Sequence, residues 1–208
     1  MGRHITSVCV LCRRERVKLY LKGNRCLTSK CAIEQKRLGP GQHGAEFKKV
    51  SDYGMQLREK QKLRRYYLMM ERPFLRQFMR AVRTKGKTGE VFLRNLELRL
   101  DSVVFRLGLA PSRRAARQII SHGHVAINNR KVDVPSAQLR VGDVVKIREG
   151  HNLQTVKGSV EAAKQRKSVP EWLDLAPEKL SGKVIRLPER TEIPVPVQEQ
   201  QIVEFYSK

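Results

Sequence analysis

The chain has 208 residues, 40% of them apolar and 30% charged, and its formal net charge is +23, with nearly all of the excess in the first 150 residues. Such a composition builds folded domains with real cores and points to a polyanionic partner. The apolar runs are short, Val8 to Cys12 being typical, against the roughly 18 residues that a membrane span needs. No charged n-region precedes an apolar stretch at the start, so the expectation is a cytoplasmic protein without a membrane or a secretory route.

Four cysteines come first, as Cys9-x2-Cys12, thirteen intervening residues, and Cys26-x4-Cys31. Two such pairs can close a tetrahedral four-thiolate metal site, whereas a disulfide framework would suit a secreted, cysteine-rich chain. The protein would fill all four coordination positions, so the site is expected to be structural and to hold one metal. Zn2+ is the first choice, and an iron–sulfur cluster, which also takes four thiolates, stays open. Arg13 and Arg14 stand beside the ligands, where they would offset thiolate charge and reach phosphate. Next, Gly39-Pro40-Gly41-Gln42-His43-Gly44 is too rich in breakers for a helix or strand, and such a loop lets backbone approach a ligand closely. His43 is expected to touch RNA or pack locally, because four cysteines already saturate the metal.

From Ser51 to about Arg83 the pattern is helical in two pieces. Ser51-Asp52 can cap the first piece. Tyr53 and Leu57 share one side of it, and Arg58, Lys60, Lys62, Arg64 and Arg65 cover much of the rest as an RNA-facing surface. Pro73 is tolerated in the first turn of the second piece, whose buried side is expected to be Phe74, Leu75, Phe78, Met79 and Val82. Lys85-Gly-Lys-Thr-Gly89 lacks the spacing of a phosphate-binding loop and is set aside for nucleotides. A third helix, about Val91 to Leu107, is expected to run without a break into the next domain.

Residues 99–148 read as two short helices followed by a small antiparallel sheet. Ser112 can cap the second helix and Gly123 can end it, while Ala115, Ala116, Ile119 and Ile120 share one side. On this reading Arg113, Arg114 and Arg117 project away from the core, and changing Arg113 and Arg117 to alanine is expected to weaken RNA binding without unfolding the chain. Val125 and Ile127 alternate as a half-buried strand, Asn128-Asn129 suits a tight hairpin turn, and Val145 and Ile147 mark a third strand. Arg106, Ser112, Arg113, Arg114, Arg117, His122, His124, Asn128, Arg130 and Lys131 form the expected RNA-binding set. Phe105 is the one aromatic side chain in the stretch, so backbone and shape of folded RNA are the expected target, with little base stacking. This stretch resembles the small RNA-binding module first defined in ribosomal protein number four, which also occurs in some pseudouridine synthases and tyrosyl-tRNA synthetases.

The last quarter suggests a helix through Leu153, Val156, Val160 and Ala163, short strands at 169–175 and 183–187, a linker at Pro194 and Pro196, and an apolar C-terminal segment with Ile202, Val203, Phe205 and Tyr206. That segment is expected to fold back on the first helical domain. The cysteine cluster, the Gly-Pro-Gly-Gln-His-Gly loop, the basic helices, the module and the Glu-Phe-Tyr-Ser-Lys ending occur in the order seen in the family of bacterial small-subunit ribosomal protein number four, and the four cysteines place the chain in its metal-bearing branch. The fold class is α+β. A four-cysteine metal module with the Gly/Pro-rich loop (1–45) is followed by a mainly helical domain (46–97 with 197–208) and an α/β domain (98–196) carrying the RNA-binding module.

The resemblance implies a structural ribosomal protein without enzymatic activity or a small-molecule substrate. It implies binding to 16S rRNA at a helix junction early in 5′-domain assembly, ribosomal proteins three and five as neighbours, and a place near where mRNA enters the subunit. An influence on decoding accuracy and, in some members, repression of the protein's own operon belong to the same resemblance. Two alternatives share the module: a pseudouridine synthase and another ribosome-associated RNA-binding protein. Arg99-Leu100-Asp101 echoes the synthase motif, but the triplet sits in helical periodicity and Asp101 is expected to be a helix-surface partner for an arginine. A DNA-binding regulator fits poorly, since no dimerisation heptad or recognition helix is evident.

Overall fold

The computed structural model describes residues 4, 6–46, 49–148, 153–165 and 169–207. It separates into two compact units, Met1–Phe92 with Val195–Lys208, and Leu93–Pro194. Among the described residues no helix is long and apolar enough to cross a membrane.

The first unit begins with α1 (Val8–Glu15), which carries Cys9 and Cys12, and a 3-10 turn at Gly23–Leu27, which carries Cys26. In α2 (Asp52–Tyr66) the Ser51 hydroxyl accepts the Gly54 amide hydrogen at 3.2 Å and satisfies one of the unpaired donors of the first turn. The buried side of α2 is Gln56, Lys60, Leu63 and Tyr66, so Lys60, which sequence patterning assigns to an RNA-facing surface, lies inside beside a second polar side chain. The cause is α8 (Glu199–Tyr206), which packs on α2. Gln56 donates to Glu204 at 3.0 Å, and the Lys60 ammonium meets Glu71 at 2.5 Å beneath the rings of Phe205 and Tyr206.

Helix α3 (Glu71–Val82) buries a narrower stripe than expected. Phe74, Phe78 and Ala81 are buried, whereas Met79 and Val82 are about half exposed. Phe74 and Phe78 both pack edge-on against Phe92 of α4 (Thr88–Glu97), and Tyr206 stacks on Phe78.

The expected unbroken helix from Val91 to Leu107 is not formed. α4 stops at Glu97 and α5 (Leu100–Arg106) starts after Arg99, which is extended at φ −69°, ψ 141°. The break lets Leu98 and Leu100 form backbone hydrogen bonds with Leu139 and Ala137 at 2.9 and 2.8 Å, an alternative that helical periodicity does not reveal.

In the second unit, α6 (Arg113–Ser121) is capped by the Ser112 hydroxyl, which accepts from Ala115 N–H at 3.2 Å. The sheet has five antiparallel strands in the order β2-β1-β3-β5-β4, where β1 is Val125–Ile127, β2 Arg130–Val132, β3 Val144–Ile147, β4 Leu173–Ala176 and β5 Ser181–Val184. Asn128 and Asn129 both take positive φ, 48° and 65°, as a two-residue hairpin with right-handed strand twist demands. β4 and β5 are shorter than, and shifted from, the strands expected at 169–175 and 183–187.

One core joins α5, α6, the inner face of the sheet and α7 (Leu153–Gln165) through Val156 and Val160, with Trp172 almost fully buried in it. The side chains of Leu153 and Ala163, expected to share that face, lie outside the described residues. Lys208, the last residue of the Glu-Phe-Tyr-Ser-Lys ending, does too.

Candidate nucleic-acid interface and cysteine centre

The four thiols carry no disulfide. They line one small cavity of about 10 Å³ together with Lys22, Arg25, Ala32 and Ile33. Among the described residues, however, no three His, Cys, Asp or Glu side chains are drawn close enough to hold an ion as they stand. Burial pushes the Cys12 thiol up to about 11, with the other three cysteines adding to it and a hydrogen bond from Leu19 opposing it; burial raises Cys26 as well. A cation in the cavity would reverse that balance, because a metal-bound thiol is deprotonated outright.

The glycine loop uses its close approach on itself. A side chain on Gly39 would meet the Gly44 carbonyl at 2.9 Å, so two backbone strands touch there and neither position has room for Cβ. His43 is exposed and pairs with Glu46, away from the cysteine cavity.

Glu15, the last residue of α1, is buried and is held by Arg65 and, at 3.5 Å, by Arg58, both on α2. Burial pushes its carboxyl up and the Arg65 guanidinium down, so desolvation outweighs their attraction. This link ties the cysteine-bearing helix to the basic helix. Lys62 pairs with Glu59, and Arg64 donates to Gln61 and stands 3.5 Å from Glu71. Arg13 donates to the Leu38 carbonyl at 3.0 Å, and Arg14 is exposed. Of the expected RNA-facing residues of α2, Lys60 is therefore an internal residue.

A larger correction concerns α6. Arg113 does not project into solvent: it is 4% exposed, stacks on Phe105 and lies 3.5 Å from Glu97. Arg106 clasps the same Glu97 through two hydrogen bonds of 2.9 and 2.6 Å. Arg117 donates to Asp101 at 2.6 Å, and Arg99 donates to both oxygens of that carboxylate at 3.1 and 3.0 Å. Asp101 is an arginine partner, as the sequence suggests, but it is fully buried and not on the surface. Four arginines are thus gathered by two carboxylates four residues apart, and of the α6 cluster Arg114 alone is exposed.

Burial would raise Asp101, yet Arg117 and Arg99 outweigh it and hold the carboxyl below its ordinary 3.8. A depressed carboxylate contributes stability that is complete above its unfolded value and lost as pH falls through the folded one. Trp172, the sole tryptophan, lies in the same core and reports on it. Its fluorescence should stay native down to about pH 4 and change only below that. A transition already complete at about pH 5 would contradict the assigned pairing.

The sheet supplies what α6 does not. Lys131, Ala126 and Lys146 lie side by side across β2, β1 and β3, and Lys183 sits two pairs further along on β5, opposite Val144 and on the same face. Those three lysines are exposed, and among the described residues none pairs with a carboxylate. His124 and Arg148 continue the face, and the rings of His122 and His124 are 6.2 Å apart. Arg130 pairs with Ile127 and alternates to the other face. Asn128 is occupied, donating to Asp143 and accepting from Val144 N–H. Sequence patterning does not single out Lys146 and Lys183, because their common face appears only once β3 and β5 are paired.

Two family models match successive parts of the chain. The family described as "Ribosomal protein S4/S9 N-terminal domain" matches residues 3–97, and the "S4 domain" matches 98–145. The chain is 52% identical to "Small ribosomal subunit protein uS4" of Thermodesulfovibrio yellowstonii over 209 residues, and 52% identical to that of Thermus thermophilus over 210. It is 54% identical to "Small ribosomal subunit protein uS4A" of Symbiobacterium thermophilum over 208 residues. In each case the match spans the whole of both chains.

Proposed function

The chain belongs to the uS4 family of small-ribosomal-subunit proteins, and from that premise we propose that it holds a junction of 16S rRNA helices in one arrangement while the 5′ domain assembles. It is a structural, RNA-binding constituent of the ribosome and not an enzyme. The observation that carries this reading is identity over the full length of both chains, since a shared module alone would leave the function open. The buried state of Asp101 agrees with it: a carboxylate enclosed by Arg99 and Arg117 is not presented to a nucleobase.

The chemistry of binding is charge replacement. Lysines and arginines without a carboxylate partner, such as Arg14, Arg114, Lys131, Lys146 and Lys183, displace condensed counterions from RNA. The arginines around Glu97 and Asp101 set the geometry of the module that presents them. The four cysteines would be the residues to hold Zn2+: four soft sulfur donors line one cavity, the ligand set that zinc takes in structural sites, and an iron–sulfur cluster is the other occupant that the same donors would suit. With an ion held there, Cys9 and Cys12 of α1 would be tied to Cys26 and Cys31. Neighbouring ribosomal proteins three and five, a position where mRNA enters, an effect on decoding accuracy and repression of its own message come with the family resemblance.

Sedimentation of the tagged protein from cell lysate, with sequencing of the RNA that travels with it, tests the reading. Comigration with small subunits and 16S rRNA is expected. A fraction bound to DNA, or turnover of uridine by the purified chain, would contradict it.

A further inference from the structure

We infer that the solvent face of α3 is a phosphate-binding track, made by Arg72, Arg76, Arg80 and the adjoining Arg83. The inference rests on the RNA-binding reading above and names a surface that neither the basic helix α2 nor the module supplies. At 100° per residue these four positions fall within one narrow stripe, directly opposite the buried Phe74, Phe78 and Ala81. All four arginines are exposed, and among the described residues none is paired with a carboxylate. Consecutive members are three or four residues apart, about 6 Å or less along the axis, and the row is about 16 Å long. That pitch is commensurate with successive phosphates of one RNA strand.

Three features separate this row from an ordinary solvated helix face. First, solubility needs charges of mixed sign, whereas like charges at i, i+4 repel and no acidic residue intervenes in the stripe. An anion lying along the row removes that repulsion. Second, Arg72 is in the first turn, where the helix dipole disfavours a cation; Arg80 and Arg83 near the C-terminal end are favoured by it, but Arg72 is not. Third, all four are arginines, whose planar forks grip phosphate oxygens through two parallel hydrogen bonds, and no aromatic side chain lies among them to stack a base. The partner is therefore the sugar–phosphate backbone of a folded RNA, bound without reading its sequence.

The test uses the full chain and a folded transcript of the 5′ region of 16S rRNA, with R72Q/R76Q beside K157Q/K179Q, which removes two exposed charges elsewhere. The arginine pair should lose about tenfold in affinity or more and about two units of the log–log salt slope, one per phosphate contact, while the lysine pair keeps both. In the wild-type complex, phenylglyoxal modification of Arg72 and Arg76 should be slowed relative to the free protein, a readout independent of whether the variants fold. Tight, salt-sensitive binding by wild type with no change in R72Q/R76Q and no protection would overturn the track while leaving the RNA-binding reading intact. Absence of binding by wild type would overturn both. Retained RNA affinity with loss of a neighbouring protein from reconstituted subunits would also overturn the track, by assigning the face to an acidic protein.

Discussion

Changing Asp101 to alanine is expected to destabilise the second unit by about 3–5 kcal/mol, the cost of leaving a buried ion pair with one sign missing. Arg99 and Arg117 would both lose their anion in a region where Asp101 is fully enclosed and Arg99 is 4% exposed. Urea unfolding followed by Trp172 fluorescence measures the loss. For the same reason Arg117→Ala and Arg113→Ala are expected to weaken the fold first and RNA binding only as a consequence. That reverses what the sequence alone suggests for them. A D101A protein as stable as wild type would mean that the carboxylate does not gather these arginines.

Removing the metal proposed for the four cysteines is expected to have an effect of comparable or larger size, confined to the first unit. Binding free energies of structural Zn2+ in small modules are about 10–16 kcal/mol at neutral pH, and where no other core exists that energy is folding energy. The segment from Val8 to Ala32 contributes few large buried side chains apart from Leu19 and Leu21, so it has little else to rely on. Chelation, or Cys12→Ser, should open this segment to protease and free Glu15 from Arg58 and Arg65, while the Trp172 signal of the second unit stays native. Full protease protection after chelation would contradict a structural role for the metal.

Local chemistry is legible in the sequence wherever one residue and its near neighbours decide the outcome. Ser51 and Ser112 cap their helices through their own hydroxyls, and Asn128-Asn129 supplies two positive φ values in a row. The alternation of Val145 and Ile147 places β3 against the core. What sequence patterning misses depends on partners far away in the chain. The arginines of α6 look like a solvent-facing cluster until Glu97 and Asp101, 16 residues before Arg113 and Arg117 respectively, are brought against them. Lys60 looks exposed until α8 returns from the C-terminus and lays Phe205 and Tyr206 over it. The break at Arg99 follows from backbone hydrogen bonds to residues 137 and 139, and the shared face of Lys146 and Lys183 follows from the pairing of β3 with β5. Charge density can be read from composition; which charges are spent internally cannot.

The proposed function has unspent cations clamping a branched RNA through its contour. It is tested most directly by the affinity of the intact chain for a junction-bearing 16S 5′-region transcript, compared with a plain RNA duplex of equal length, across a salt series. The junction should be strongly preferred, and with about six to ten phosphates neutralised its binding should weaken by about 10³–10⁵-fold between 50 and 200 mM salt. Equal affinity for the plain duplex, or binding that ignores salt, would contradict the account.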